Sequence, residues 1–194
     1  MKKVLLLLAN GFEVFEASVF IDVIGWNLID GDKSTKLFTC GLTKEVKTTF
    51  DQKVIVDYLI DEINVDEFSA LAIPGGFEEF GFYLDAYSDK FSNLIKEFHK
   101  NNKIIASICV ASLPIAKTGI LNGKKATTYF LNPIRQEQLK NFGAEITEDP
   151  IVITDKIITS FGPSTAIEVA LILLEMLTTK ENANHIKRIM GFGN

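Results

Sequence analysis

The sequence predicts an α/β protein with a mainly parallel sheet covered by helices on both faces. Three observations carry this. Strand-type and helix-type segments alternate along the chain, as they do in successive βαβ units. The segments Val4-Leu5-Leu6-Leu7-Leu8-Ala9 and Ala70-Leu71-Ala72-Ile73 are apolar throughout, as strands buried on both faces are. Finally, 194 residues with 47% hydrophobic and 23% charged side chains suit one soluble domain with a substantial core. No repeat, low-complexity tract or linker divides residues 1–194, so one domain is expected.

The elements follow in order. Residues 4–9 form the first strand. Residues 17–29 are helical, with Phe20, Val23, Ile24 and Leu28 on one face and Gly31 as the stop. Residues 35–40 form the second strand, and residues 46–56 a short hairpin through Phe50-Asp51-Gln52. Residues 70–73 are a buried strand ending in Pro74-Gly75-Gly76. Residues 90–100 are an amphipathic helix with Phe91, Leu94, Ile95 and Phe98 inward. Strand 104–108 then runs into a helix reaching about residue 117, closed by Gly119. Residues 126–129 read as a short strand. Residues 131–142 are helical, with Asn132 as cap and Pro133 at the first position. Residues 145–147, 151–154 and 157–159 are strands. Residues 165–177 and 181–190 are the last two helices.

Composition excludes several functions. A formal charge of -5, with basic residues scattered, argues against nucleic acid or an anionic membrane as partner. No stretch reaches the roughly 20 apolar residues of a membrane span. The apolar run after Met1-Lys2-Lys3 is too short for a signal peptide and meets Asn10, Gly11, Glu13 and Glu16 at once, so a cytoplasmic protein is expected. Cys40 and Cys109 form neither a disulfide framework nor a zinc motif; no metal or cofactor is implied. Cys40 ends a strand as a small hydrophobe.

The chemistry gathers where strands end. In an open parallel sheet, ligands bind beyond the carboxyl ends of the strands. Four loops fall at that edge: Asn10–Glu16, Pro74–Phe77, Cys109 itself, and Ser160-Phe161-Gly162-Pro163. Around Cys109, in Ala106-Ser107-Ile108-Cys109-Val110-Ala111, Ser107 and Ala111 are small, as a nucleophile elbow's sharp strand-to-helix turn requires. Free N–H groups at a helix start favour the thiolate. A buried, inert cysteine ending a strand fits the same local pattern. Gly75-Gly76 makes either a tight turn or a backbone nest that, with the Val110 N–H, holds an oxyanion. Glu13 and Glu16 both lie where the dipole of the first helix favours an acid. One of them, kept protonated, could donate a hydrogen bond to the thiolate.

Four motifs, Ala9–Glu16, Ile73–Gly76, Ala106–Ala111 and Gly162-Pro163-Ser164, resemble those of the ThiJ/PfpI (DJ-one/PfpI) superfamily, in the same order. The resemblance spans nearly the whole chain and is nearer the parkinsonism-associated branch than the protease branch. It implies a flavodoxin-like three-layer sandwich related to the glutamine amidotransferases, and a homodimer. It further implies Cys109 as the reactive residue, Glu16 as the acid beside its sulfur, and Gly75, Gly76 and Val110 as the oxyanion-type backbone positions.

Departures from the family matter too. Val110 stands where protease-like members carry a histidine. Tyr129 follows Thr127-Thr128 where the nearer branch carries one, and the amidotransferase His-x-Glu pair is absent at His185-Ile186-Lys187. Of the chain's two histidines, His99 ends the helix over residues 90–100 as a solvated, dipole-favoured side chain, and His185 fits neither family position. Without a histidine, amide hydrolysis lacks its base and leaving-group acid, and a tyrosine is a poor base at neutral pH. Three readings follow. One is cysteine-dependent handling of small reactive carbonyls, of glyoxalase or deglycase type, in a stress response. Another is a non-enzymatic redox sensor or chaperone-like stress protein, in which Cys109 meets an oxidant. The last is an amidase or peptidase-like hydrolase. Tyr129 is expected to turn its ring toward the cysteine and orient a carbonyl. Phe12, Phe77, Phe80 and Phe161, with Gly162 and Pro163, complete the expected pocket.

Overall fold

The computed structural model describes residues 1–193. Strand β1 (Lys2–Leu8) is central, and α1 (Val14–Asp30) returns the chain to β2 (Thr35–Gly41). A hairpin, β3 (Glu45–Lys47) and β4 (Lys53–Ile55), precedes the edge strand β5 (Tyr58–Leu59). Strand β6 (Ala70–Ile73) leads to α2 (Phe82–Ala86) and α3 (Asp89–Lys100), then β7 (Ile104–Ser107) and α4 (Ser112–Lys117). The short β8 (Lys125–Ala126), α5 (Pro133–Asn141) and β9 (Glu145–Ile146) come before β10 (Ile151–Thr154) and β11 (Ile157–Ser160). Helices α6 (Ala166–Leu177) and α7 (Lys180–Ile189) close the chain.

The main sheet has seven strands in the order β10-β11-β7-β6-β1-β2-β5, parallel except where β10 runs against β11. Its parallel core, β2-β1-β6-β7-β11, is the doubly wound order of flavodoxin-like folds, with the switch point between β1 and β6. Strand β1 shows why both faces are covered. Val4, Leu6 and Leu8 pack on the side of α1 and α6, while Leu5 and Leu7 pack with Phe91, Leu94, Ile95 and Phe98 of α3. Three layers result, and no helix among the described residues is long and apolar enough to cross a membrane.

Several boundaries move for identifiable reasons. Helix α1 starts at Val14, not residue 17, because the Glu13 carboxylate accepts the Glu16 N–H at 3.0 Å and caps it. The strand expected at 126–129 stops at Ala126 and pairs with β9 outside the main sheet. Beyond it, Thr127 N–H donates to Thr159 Oγ1 at 3.0 Å, and Thr128 Oγ1 donates to the Cys109 carbonyl at 3.2 Å. Side chains thus replace the ladder there. After β7, a 3-10 turn over Cys109–Ala111 precedes the six-residue α4.

Candidate active site

The four loops converge at the switch point. Phe12 bridges to Thr48 on one side and Gly76 on the other, which fixes the path from β1 into α1. Glu16, in the first turn of α1, is 1% exposed and accepts the Gly75 N–H on Oε2 at 2.7 Å. Only glycine fits at position 75. A Cβ there would lie 2.8 Å from Glu16 Oε2 and 2.9 Å from the Cys109 Cβ. The chain therefore brings Glu16 and Cys109 together around a backbone wedge.

Cys109 has φ of 59°, a left-handed conformation that costs a non-glycine residue energy and needs support. Ser112 Oγ and Thr128 Oγ1 both donate to its carbonyl at 3.2 Å. Ser107, fully buried, donates to the Ile158 carbonyl at 2.9 Å, which ties the end of β7 to β11. Gly162, at φ of 155°, covers the thiol: a Cβ there would stand 3.4 Å from Tyr129 Cδ2 and 3.7 Å from Cys109 Sγ.

Over the sulfur lies a cavity of about 350 Å³, within the range of small-ligand sites. Its walls include Glu16, Gly76, Phe77, Cys109, Val110, Tyr129 and Pro163. Phe12, Phe80 and Phe161 are not among them, which corrects the expected aromatic lining. Phe12 is buried under the loop, Phe80 packs edge-on to Phe50, and Phe161 stacks on Phe130 at 4.6 Å beside a different hollow. His99 closes α3, and His185 Nε2 meets the Asp30 carbonyl at 3.1 Å; neither lines the cavity.

Six wall residues lie outside the expected set: Phe50, Glu78, Glu79, Tyr83, Asn132 and Arg135, of which Glu78, Tyr83 and Arg135 form one cluster. Their signal in the sequence is positional. Glu78 and Tyr83 follow Gly75-Gly76 at the sheet edge, and Arg135 lies in the first turn of a helix entered from the same edge. The Arg135 guanidinium pairs with Glu78, donates to Gln138 Oε1 at 2.9 Å, and stands 4.7 Å over the Tyr83 ring.

Burial pushes the Glu16 carboxyl up to about 8, against the opposing bonds from the Gly75 N–H and the Cys109 thiol. Glu16 therefore keeps its proton at neutral pH. Oε1 is buried with no hydrogen-bond partner among the described residues while Oε2 accepts from Gly75, so the proton belongs on Oε1. Burial also pushes the Cys109 thiol up, and an ionised Glu16 would push it further; the Val110 N–H opposes both. The helix-start effect expected to lower this thiol is overridden, because one 3-10 turn and a six-residue helix carry little dipole. Gly75 also differs from its expected role as an oxyanion donor, since its N–H is occupied by Glu16. Gly76 and Val110 remain on the cavity wall, and the Val110 N–H reaches the Cys109 thiol. Cys40 contrasts sharply: it is fully buried, and its thiol is pushed up to about 12 by burial.

A model of the DJ-1/PfpI family matches residues 2–176. Protein DJ-1 homolog A of Arabidopsis thaliana is 30% identical over 190 residues, which is 97% of this chain; the chain spans only 46% of that relative's length. Protein dj-1beta of Drosophila melanogaster is 29% identical over 189 residues, covering 96% of this chain and 95% of its own. The crystal structure of Drosophila DJ-1beta aligns with a TM-score of 0.86 at 28% identity, covering 100% of this chain and 99% of that one. Oxidized Toxoplasma gondii DJ-1 aligns at 0.82 and 28% identity, with 100% of both chains covered.

Proposed function

Since the chain belongs to the DJ-1/PfpI family, on its DJ-1-like branch, we propose that the Cys109 pocket converts small reactive carbonyls by covalent catalysis. The observation that carries this is Glu16: buried, held by the Gly75 N–H, and on the same cavity wall as Cys109, with burial pushing its carboxyl up to about 8. With methylglyoxal as the example, the Cys109 thiol gives its proton to water, the sulfur adds to the aldehyde carbon and the carbonyl electron pair moves onto oxygen. The N–H groups of Gly76 and Val110 face that oxyanion, and Glu16 supplies its proton. The Glu16 carboxylate so formed takes the proton from the former aldehyde carbon and returns it to the neighbouring carbon, leaving a thioester. Water cleaves the thioester and frees the thiol, so that methylglyoxal and water give lactate with no net redox change.

Lactate formation from methylglyoxal without added cofactor tests this. Wild type turns over, Cys109→Ala does not, and Tyr129→Phe is slower because a wall donor that orients the carbonyl is gone. Equal rates in wild type and Cys109→Ala refute the assignment.

A second reading draws on the same groups. Peroxide oxidises the Cys109 thiolate to a sulfinate, which the Glu16 hydroxyl and the Gly76 and Val110 N–H groups would hold. The structural likeness to Toxoplasma gondii DJ-1 in an oxidized state favours it. A peptidase is disfavoured, because no histidine lines the cavity. As part of the proposal the protein works in the cytoplasm, where its two free cysteines stay reduced. It also pairs as a homodimer through the exposed Phe15, Ile21, Trp26 and Ile29 of α1.

A further inference from the structure

Arg135 is the one cation among the described residues that line the Cys109 cavity. Its side chain is only 14% exposed, and it is held on three sides, by Glu78, Gln138 and the Tyr83 ring. Such a guanidinium is a preorganised receptor for a carboxylate, and it has more N–H groups than those two polar partners use. A carboxylate already occupies it: Glu78 reaches across from the loop after β6, with its own side chain 64% exposed. Because the Glu78 end of the pair is exposed, Glu78 regains its hydration when a competing carboxylate takes its place on Arg135. Asn132 adds to the same wall. Its Oδ1 accepts the Ile134 N–H at 3.0 Å, which leaves its amide N–H groups for the cavity. The other acids along the wall are otherwise engaged or wet. Glu13 caps α1, Glu16 is neutral at pH 7, and Glu79 is exposed and screened by salt.

We propose that Arg135 sets the specificity of the pocket, receiving the carboxylate of a small carbonyl acid while Cys109 meets its carbonyl, with Glu78 as a built-in competitor for the same guanidinium. This rests on Cys109 being the nucleophile of the pocket. It names the substrate class as carbonyl compounds bearing a carboxylate.

The test compares two alkylating probes of similar size, iodoacetate and iodoacetamide, and reads their rates at Cys109 by peptide mass mapping. The ratio of the two rates cancels any change in the thiol itself. In Arg135→Gln the iodoacetate-to-iodoacetamide ratio falls about tenfold, the loss of a charge-assisted bond, and Arg135→Lys restores part of it. In Glu78→Gln, a change at an exposed side chain, the ratio rises roughly two- to fivefold as the competitor is removed. If Cys109 is labelled but neither variant moves the ratio, Arg135 is no carboxylate receptor and the carbonyl chemistry stands without it. A higher ratio in Arg135→Gln overturns the inference in the same way. If Cys109 is labelled by neither probe, the nucleophile assignment falls, and this inference falls with it.

Discussion

Replacing Glu16 with glutamine should change how stability depends on pH. In the folded protein the carboxyl titrates at about 8, against an ordinary value of 4.5, because burial penalises its charge. Between those values the folded state holds a proton that the unfolded chain has released. Stability from this group is therefore fully present below about 4.5 and is lost as pH rises through about 8. Between pH 5 and pH 8 the loss is roughly 3–4 kcal/mol, at about 1.4 kcal/mol for each factor of ten. Against a typical total of about 5–15 kcal/mol, that is large. Glutamine keeps the shape and still offers Gly75 an acceptor, but it cannot ionise. Urea denaturation of both proteins at pH 5, 6, 7 and 8 should show wild type losing stability to the variant by that amount across the series. Parallel profiles would mean that Glu16 is ionised in the folded state at neutral pH, and its role as proton donor to the sulfur would fail.

Two more expectations concern the wedge and the exposed helix face. Gly75→Ala forces a Cβ within 3 Å of both Glu16 and Cys109; the fold should lose on the order of 1–3 kcal/mol by overpacking, and Cys109 labelling should fall with it, as thermal melting and mass mapping would show. Trp26→Glu places a charge in the apolar face of α1, 40% exposed at that residue, and on the proposed pairing should shift sedimentation from dimer to monomer with the melting curve retained; an unchanged dimer would move the interface elsewhere, and a wild type that sediments as a monomer would refute the pairing.

Much of this architecture is legible in the residues because period and burial coincide. Strand β1 is apolar at adjacent positions because helices cover both its sides, and that can be read without coordinates. The elbow is legible as well, since Ser107 and Ala111 leave room for the turn that gives Cys109 its positive φ. Glu13 and Glu16 cannot be separated by sequence, because both suit a helix start. Only the fold shows Glu13 spent as the cap and Glu16 turned inward to Gly75. The strand expected over 126–129 is too long because threonines favour strands, yet Thr127 and Thr128 use their polar groups to tie the segment to Thr159 and Cys109. Arg135 and Tyr83 escape a reading of the sequence because they reach the cavity across long separations along the chain, which periodicity does not report.

The most direct measurement is the rate of iodoacetamide labelling at Cys109 as a function of pH, read peptide by peptide beside Cys40. Cys109 should label far faster than the buried Cys40, and its rate should climb with pH as the thiol, pushed up by burial, loses its proton. In Glu16→Leu the climb should move upward by about one to two pH units, the loss of a charge-assisted hydrogen bond. Equal labelling of the two cysteines, or a Glu16→Leu protein that labels at lower pH than wild type, would show that Glu16 repels the thiolate rather than holding its proton, and would contradict the assignment of this site.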